Sequence, residues 1–137
     1  MRAMDEWSVF NSAHPHTLII GSEADVKARI ADHLPRLRAP IVQWRSRGLV
    51  KRPLATGTLM IWDIDAVDRA EQEQLVSWMD SHPEVQVISI AEHPLFPLVV
   101  NGTFLDRLYY RLNVLCLSVS ERDHRSTQES AVVTAID

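Results

Sequence analysis

A chain of 137 residues, 46% hydrophobic and 23% charged, with four Gly and seven Pro, has the composition of one folded domain rather than of a disordered or multi-domain protein. Its 14 basic against 18 acidic residues leave a net charge of −4, so the surface lacks the overall positive field that non-specific nucleic-acid binding needs, and no direct DNA contact is expected. The single cysteine, Cys116, excludes an internal disulfide and a cysteine-paired zinc site and fits a reducing cytoplasm, while no apolar run nears the roughly 18 residues of a membrane span and MRAMDEW resembles no export signal.

TLII at 17–20, punctuated by Gly21, reads as a first strand. Val26, Ile30 and Leu34 then recur every four residues, as one helix face requires, until Pro35 and Pro40 close that helix. IVQW at 41–44 is a second buried strand. A basic, turn-rich stretch follows in which Arg45, Arg47, Lys51 and Arg52 form a solvated loop able to meet phosphate. TLMIW at 58–62 is the third strand, with Asp63 and Asp65 at its carboxyl end, before a helix that places Val67, Leu75 and Met79 on one side and has Asp65 or Asp68 to cap it. SHPE ends this helix, VQVISI at 85–90 is the fourth strand, and Pro94 and Pro97 allow only a short or bent helix after it. A further helix spans about Phe104 to Leu112, and NVLCLSV at 113–119 is the fifth strand, with Cys116 as inert core. Residues 1–122 form the domain and 123–137 a polar tail that frays. Strands alternating with helices argue for an α/β protein: a parallel five-stranded sheet with helices on both faces, whose ligands belong beyond the carboxyl ends of the strands.

Several segments carry chemistry. GSEADVKA at 21–28 overlays the phosphate-loop pattern G-x-x-x-x-G-K-[ST] without a gap, but only Gly21 and Lys27 match; Val26 replaces the second glycine and Ala28 the hydroxyl that ligates magnesium. His14-Pro15-His16 offers two imidazoles without a third ligand, so no metal site is expected. LMIWDID echoes the phosphoacceptor strand of receiver domains, yet the acidic pair and the lysine such a domain needs are missing.

Taken together, GTLMIWDI at 57–64, VQVISIAEHPL at 85–95 and NGTFLDRLYYRLNVLCLSVSER at 101–122 resemble, in order and spacing, the AAA+ core of bacterial sigma-54-dependent transcription activators of the NtrC type, over residues 17 to 122. LYYRLNV at 108–114 is the most specific element. The resemblance implies a three-layer P-loop NTPase-like fold and a consistent loss of its chemistry. The magnesium-holding aspartate falls on Trp62 and the catalytic glutamate on Asp63; the sensor asparagine falls on Glu92, whose charge opposes a γ-phosphate. Of two finger arginines, the first falls on Leu105 and only the second, Arg111, remains. The stretch before Gly57 is too short for the loop by which such activators touch the sigma factor, and no lid domain is expected after Arg122. Asp63, Glu92 and Arg111 are thus vestigial catalytic positions, Gly21 and Lys27 a vestigial phosphate loop. The resemblance therefore implies a non-hydrolytic regulatory or protein-interaction module of bacterial transcription, without ATP or magnesium as cofactor, that associates with itself or with an intact AAA+ activator. The alternative is a residual ATP-binding protein or weak ATPase using Lys27 and Asp63.

Overall fold

The computed structural model describes residues 5–45 and 55–120. Five parallel strands, β1 (Thr17–Ile20), β2 (Ile41–Trp44), β3 (Gly57–Ile61), β4 (Val85–Ala91) and β5 (Leu115–Ser118), lie in the order β2-β3-β4-β1-β5. Helix α1 (Glu6–Ala13) precedes β1, and between the strands run α2 (Glu23–Ala31), α3 (Arg69–Ser81), α4 (Phe96–Val100) and α5 (Asp106–Leu112).

Strand alternation splits the core in two. Leu18, Leu59, Ile61, Val85 and Val87 point to one face and pack under Leu75 and Trp78 of α3 and Leu108 and Leu112 of α5. Ile19, Met60, Ile88, Ile90 and Leu117 point to the other and meet Phe10 of α1 and Val26 and Ile30 of α2. The sheet is therefore covered on both faces, as crossover connections between parallel strands require. Every residue of β3 and β4 is buried, which is why their sequences read as mostly apolar runs, interrupted only by the buried polar Thr58, Gln86 and Ser89.

Local chemistry sets the boundaries. Asp5 caps α1 by accepting from the Trp7 amide at 3.3 Å, and Ser22 caps α2 by accepting from the Asp25 amide at 3.2 Å. Asp68, not Asp65, caps α3, its carboxylate accepting from the Glu71 amide at 2.8 Å; Val67 thus precedes the helix instead of opening it. Pro97 occupies the first turn of α4, where proline is tolerated, and the helix ends after five residues at Asn101 and Gly102, the latter at φ 84°. Gly57 sits at φ 120°, where a Cβ would lie 2.4 Å from the Pro40 carbonyl oxygen that accepts the Thr58 amide, so the entry to β3 admits only glycine.

Three expectations change. Helix α1 is an element that the sequence reading did not assign to the first 16 residues; its core contact is Phe10, with Trp7 stacked on His33. Strand β2 is an edge, with only Trp44 buried, because among the described residues no strand covers its far side. Cys116 is exposed rather than core, since the other edge strand, β5, turns alternate residues away from the helical layer. Partial desolvation, with a smaller contribution from Glu6, holds its thiol pKa above the ordinary value, which still makes it a poor nucleophile. Arg47, Lys51, Arg52 and the tail lie outside the described residues.

Candidate functional site

The carboxyl ends of β1, β2 and β3 bring together four charged side chains and an indole. Helix α2 starts at Glu23, immediately after Ser22, so a single residue separates Gly21 from its first turn. Lys27 stands in the second turn of the helix, not at its mouth, and Val26 is turned into the core at 1% exposure. Gly21 answers a packing demand: a Cβ there would lie 2.3 Å from the Val119 carbonyl oxygen, while the Gly21 amide bonds the Ala91 carbonyl at 2.9 Å.

The charges neutralise one another. Glu23 pairs through one oxygen with Lys27 and through the other with Arg45, each at 2.7 Å, and Arg45 reaches the Asp63 carboxylate at 3.0 Å. Hydrogen bonds from Lys27, then from Arg45, hold the Glu23 carboxyl below its ordinary pKa, and the bond from Glu23 raises that of Arg45. Beneath this network lies the Trp62 ring, buried at 4% exposure, its Nε1–H donating to Gln43 Oε1 at 2.9 Å. The Lys27 ammonium and the Arg45 guanidinium stand 5.6 and 5.4 Å from the ring centroid. Asp63 adopts a left-handed conformation, φ 56° and ψ 48°, which swings its carboxylate toward Arg45 after the strand has ended.

For a triphosphate this arrangement is unfavourable in three ways. A helix N-terminus attracts anions through its free amides and positive dipole end, but here Ser22 takes one amide and Glu23 and Asp25 bring negative charge to that first turn. The cation of Lys27 is already paired. The adjoining cleft of about 460 Å³ beside Trp62 is walled by the carboxylates of Asp63, Asp68 and Glu71 against one guanidinium, Arg45. Among the described residues, no group of three His, Cys, Asp or Glu side chains is placed to hold a metal.

Two expected site residues stand apart from this cluster. Glu92 follows the last residue of β4, exposed at the same edge, and among the described residues it makes no ion pair. Arg111 occupies the last turn of α5 at the opposite edge, where it pairs with Asp80; burial, and after it the charge of Arg111, lower the pKa of His16. His14 and His16 serve structure: His14 Nε2 meets the Arg36 carbonyl at 3.0 Å, and His16 Nδ1 accepts from the Val87 amide at 3.0 Å. Sequence reading missed Glu23, although its spacing of four from Lys27 is a helical ion-pair signal. It also missed Gln72, buried at 1% exposure, which donates to the Val67 and Thr103 carbonyls at 2.9 and 3.2 Å and accepts from the Leu105 amide at 2.8 Å.

A family model described as "Sigma-54 interaction domain" matches residues 17–121. NtrX from Brucella abortus in complex with ATP shares the fold at a TM-score of 0.66 and 15% identity, over 84% of this chain and 34% of that one. The P-loop NTPase domain of the Sigma-54 transport activator from E. coli superposes at 0.60 with 17% identity, over 82% of this chain and 96% of that domain. A chain in the structure of Drosophila ORC bound to AT-rich DNA and Cdc6 matches at 0.55 with 11% identity, over 82% of this chain and 51% of that one. At such identities the likeness is one of fold: a P-loop NTPase-like parallel sheet with helices. The chain spans about a third of the length of NtrX. No curated protein matches it in sequence.

Proposed function

Since this chain belongs to the Sigma-54 interaction domain family, whose members are related to bacterial transcription activators, we propose that it is a regulatory member that binds protein and does not hydrolyse ATP. The observation that carries this reading is the double pairing of Glu23. Its carboxylate stands 2.7 Å from both Lys27 and Arg45, so the cations available for an incoming phosphate are already bound to a carboxylate of the chain itself. Phosphoryl transfer depends on positioned cations and a held metal ion, and Trp62 and Ala28 supply neither ligand for magnesium.

Isothermal titration of the chain with ATP and magnesium, alongside a phosphate-release assay, tests the proposal. The expected result is no binding heat at millimolar nucleotide and no release above the uncatalysed rate. Saturable binding that disappears in Lys27→Ala, accompanied by turnover, would establish the ATP-dependent alternative.

For a protein partner, α4 and α5 offer Phe96, Val100 and Tyr110 at 48%, 72% and 65% exposure, with Tyr109 half-buried against Phe96 at 5.9 Å between ring centroids. Aromatic side chains held on a rigid helix and only partly covered suit an interface anchor. We assign this face to association with a second copy of the chain or with an intact AAA+ activator. Sedimentation at several concentrations, alone and with such an activator, is expected to show a complex in one of the two experiments that Tyr110→Glu abolishes.

A further inference from the structure

Among the described residues, the large apolar side chains left exposed are Phe96, Val100, Tyr110 and Val114, and all belong to the stretch from α4 to the start of β5. Their aromatic part is continuous: the Phe96 and Tyr109 ring centroids are 5.9 Å apart, and those of Tyr109 and Tyr110 are 5.3 Å apart. Because α5 buries Leu108 and Leu112, it turns Asp106, Arg107 and Tyr110 toward solvent.

Charges border the rings in a particular order. Arg107 reaches Glu73 of α3 at 3.6 Å, and Arg111 in the last turn of α5 pairs with Asp80. Asp106, the first residue of α5, makes no ion pair among the described residues; its Oδ1 accepts from the Arg107 amide at 2.7 Å. The helix therefore carries an uncommitted carboxylate at its start and a guanidinium at its end. A partner surface of one sign would repel one of the two, whereas a second copy of the same helix laid antiparallel matches both. With the two-fold axis passing between Leu108 and Tyr109, Asp106 faces the partner's Arg111 and Arg107 faces the ring of the partner's Tyr110. A guanidinium has five N–H donors, so Arg111 can serve Asp80 and the partner's Asp106 together.

We propose that this face binds a second copy of the chain, in a two-fold dimer built on antiparallel α5 helices and held by two reciprocal Asp106–Arg111 contacts around the tyrosines. The assignment rests on the reading of α4 and α5 as a protein-binding face and names its occupant.

Sedimentation equilibrium of the full chain up to about 500 μM tests it, with a dimer expected at a Kd of about 10–100 μM, in the range of small interfaces. Asp106→Lys and Arg111→Glu change exposed side chains and are expected to keep Tm within about 4 °C of the wild type. Each alone sets like charges face to face twice and is expected to raise the Kd by about tenfold or more. An equimolar mixture of the two variants places Lys against Glu at one contact and Arg against Asp at the other, so it is expected to regain the wild-type association. A wild-type dimer whose loss in the single variants is not recovered on mixing would overturn the antiparallel pairing and leave the protein-binding reading of the face intact. A wild-type chain that stays monomeric throughout, yet forms a complex with an intact AAA+ activator that Tyr110→Glu abolishes, would overturn the second copy as occupant.

Discussion

Gly21 has two possible reasons to be glycine, and they make different predictions. A phosphate loop needs it for backbone approach to a ligand; this fold needs it because the Val119 carbonyl oxygen stands 2.3 Å from where a Cβ would be. Gly21→Ala is therefore expected to cost roughly 3 kcal/mol, read as a lower urea midpoint in the absence of any nucleotide. An unchanged midpoint would return Gly21 to the ligand. Gln72 offers a second case: Gln72→Leu keeps the volume but strips partners from the Leu105 amide and the Val67 and Thr103 carbonyls, for an expected loss of roughly 2–3 kcal/mol. Trp62→Asp restores a carboxylate at the magnesium position while removing a buried indole. Urea unfolding should show a loss of roughly 4 kcal/mol or more, and the phosphate-release assay no turnover. Turnover in that variant would contradict the proposed function.

Helix α2 begins where the sequence motif alone would have placed a loop. Ser22 is a good cap, Glu23 and Asp25 suit the positive end of the helix, and Val26 and Ile30 bury its inner face, so helix formation from residue 23 is favoured locally and by packing. Rebuilding the motif through Val26→Gly and Ala28→Thr leaves the cap and the acidic turn in place. The double variant is expected to lose about 2–3 kcal/mol of stability from the emptied Val26 site and to show no ATP binding by titration. Micromolar binding there would mean that two residue identities, not the helix start, had closed the site. Elements were readable in proportion to their burial. β3 and β4, covered on both faces, stood out as apolar runs, whereas β2, half-exposed at its edge, read as more buried than it is. α1 escaped notice because its main core contribution is one residue, Phe10.

Over the whole molecule, two histidines tie stability to pH. Burial, and then Arg111, hold His16 below the usual imidazole value of 6.5; burial, and then Arg29 and Arg36, outweigh Asp32 and Asp5 in doing the same for His33. The folded chain therefore binds these protons less readily than the unfolded chain. Their contribution is present above pH 6.5 and is lost as pH falls through the lowered native values. Urea midpoints measured from pH 7.5 downward should decline through this range. In the double variant His16→Asn, His33→Asn, whose amides can serve the Val87 amide and Asn11, the decline should flatten. Glu23 titrates in a separate window, below its ordinary carboxylate value of 4.5, so it does not confuse the test.

The α/β class, the five strands and the resemblance to a sigma-54 activator core came from the sequence by itself, because burial periodicity and the run from Leu108 to Val114 are local properties of the chain. Tertiary structure decided what became of the phosphate loop. Glu23 and Arg45 are 22 positions apart and Arg45 and Asp63 are 18 apart; the parallel β2–β3 pairing carries Arg45 to Asp63, and the parallel pairing of β3 with β4 and of β4 with β1 brings Glu23 to the same edge. The same distance in sequence hid Gln86, which lies 71 residues from the Pro15 carbonyl it bonds. Charge pairing and long-range hydrogen bonds are properties of positions in space, and no pattern along one strand or one helix contains them.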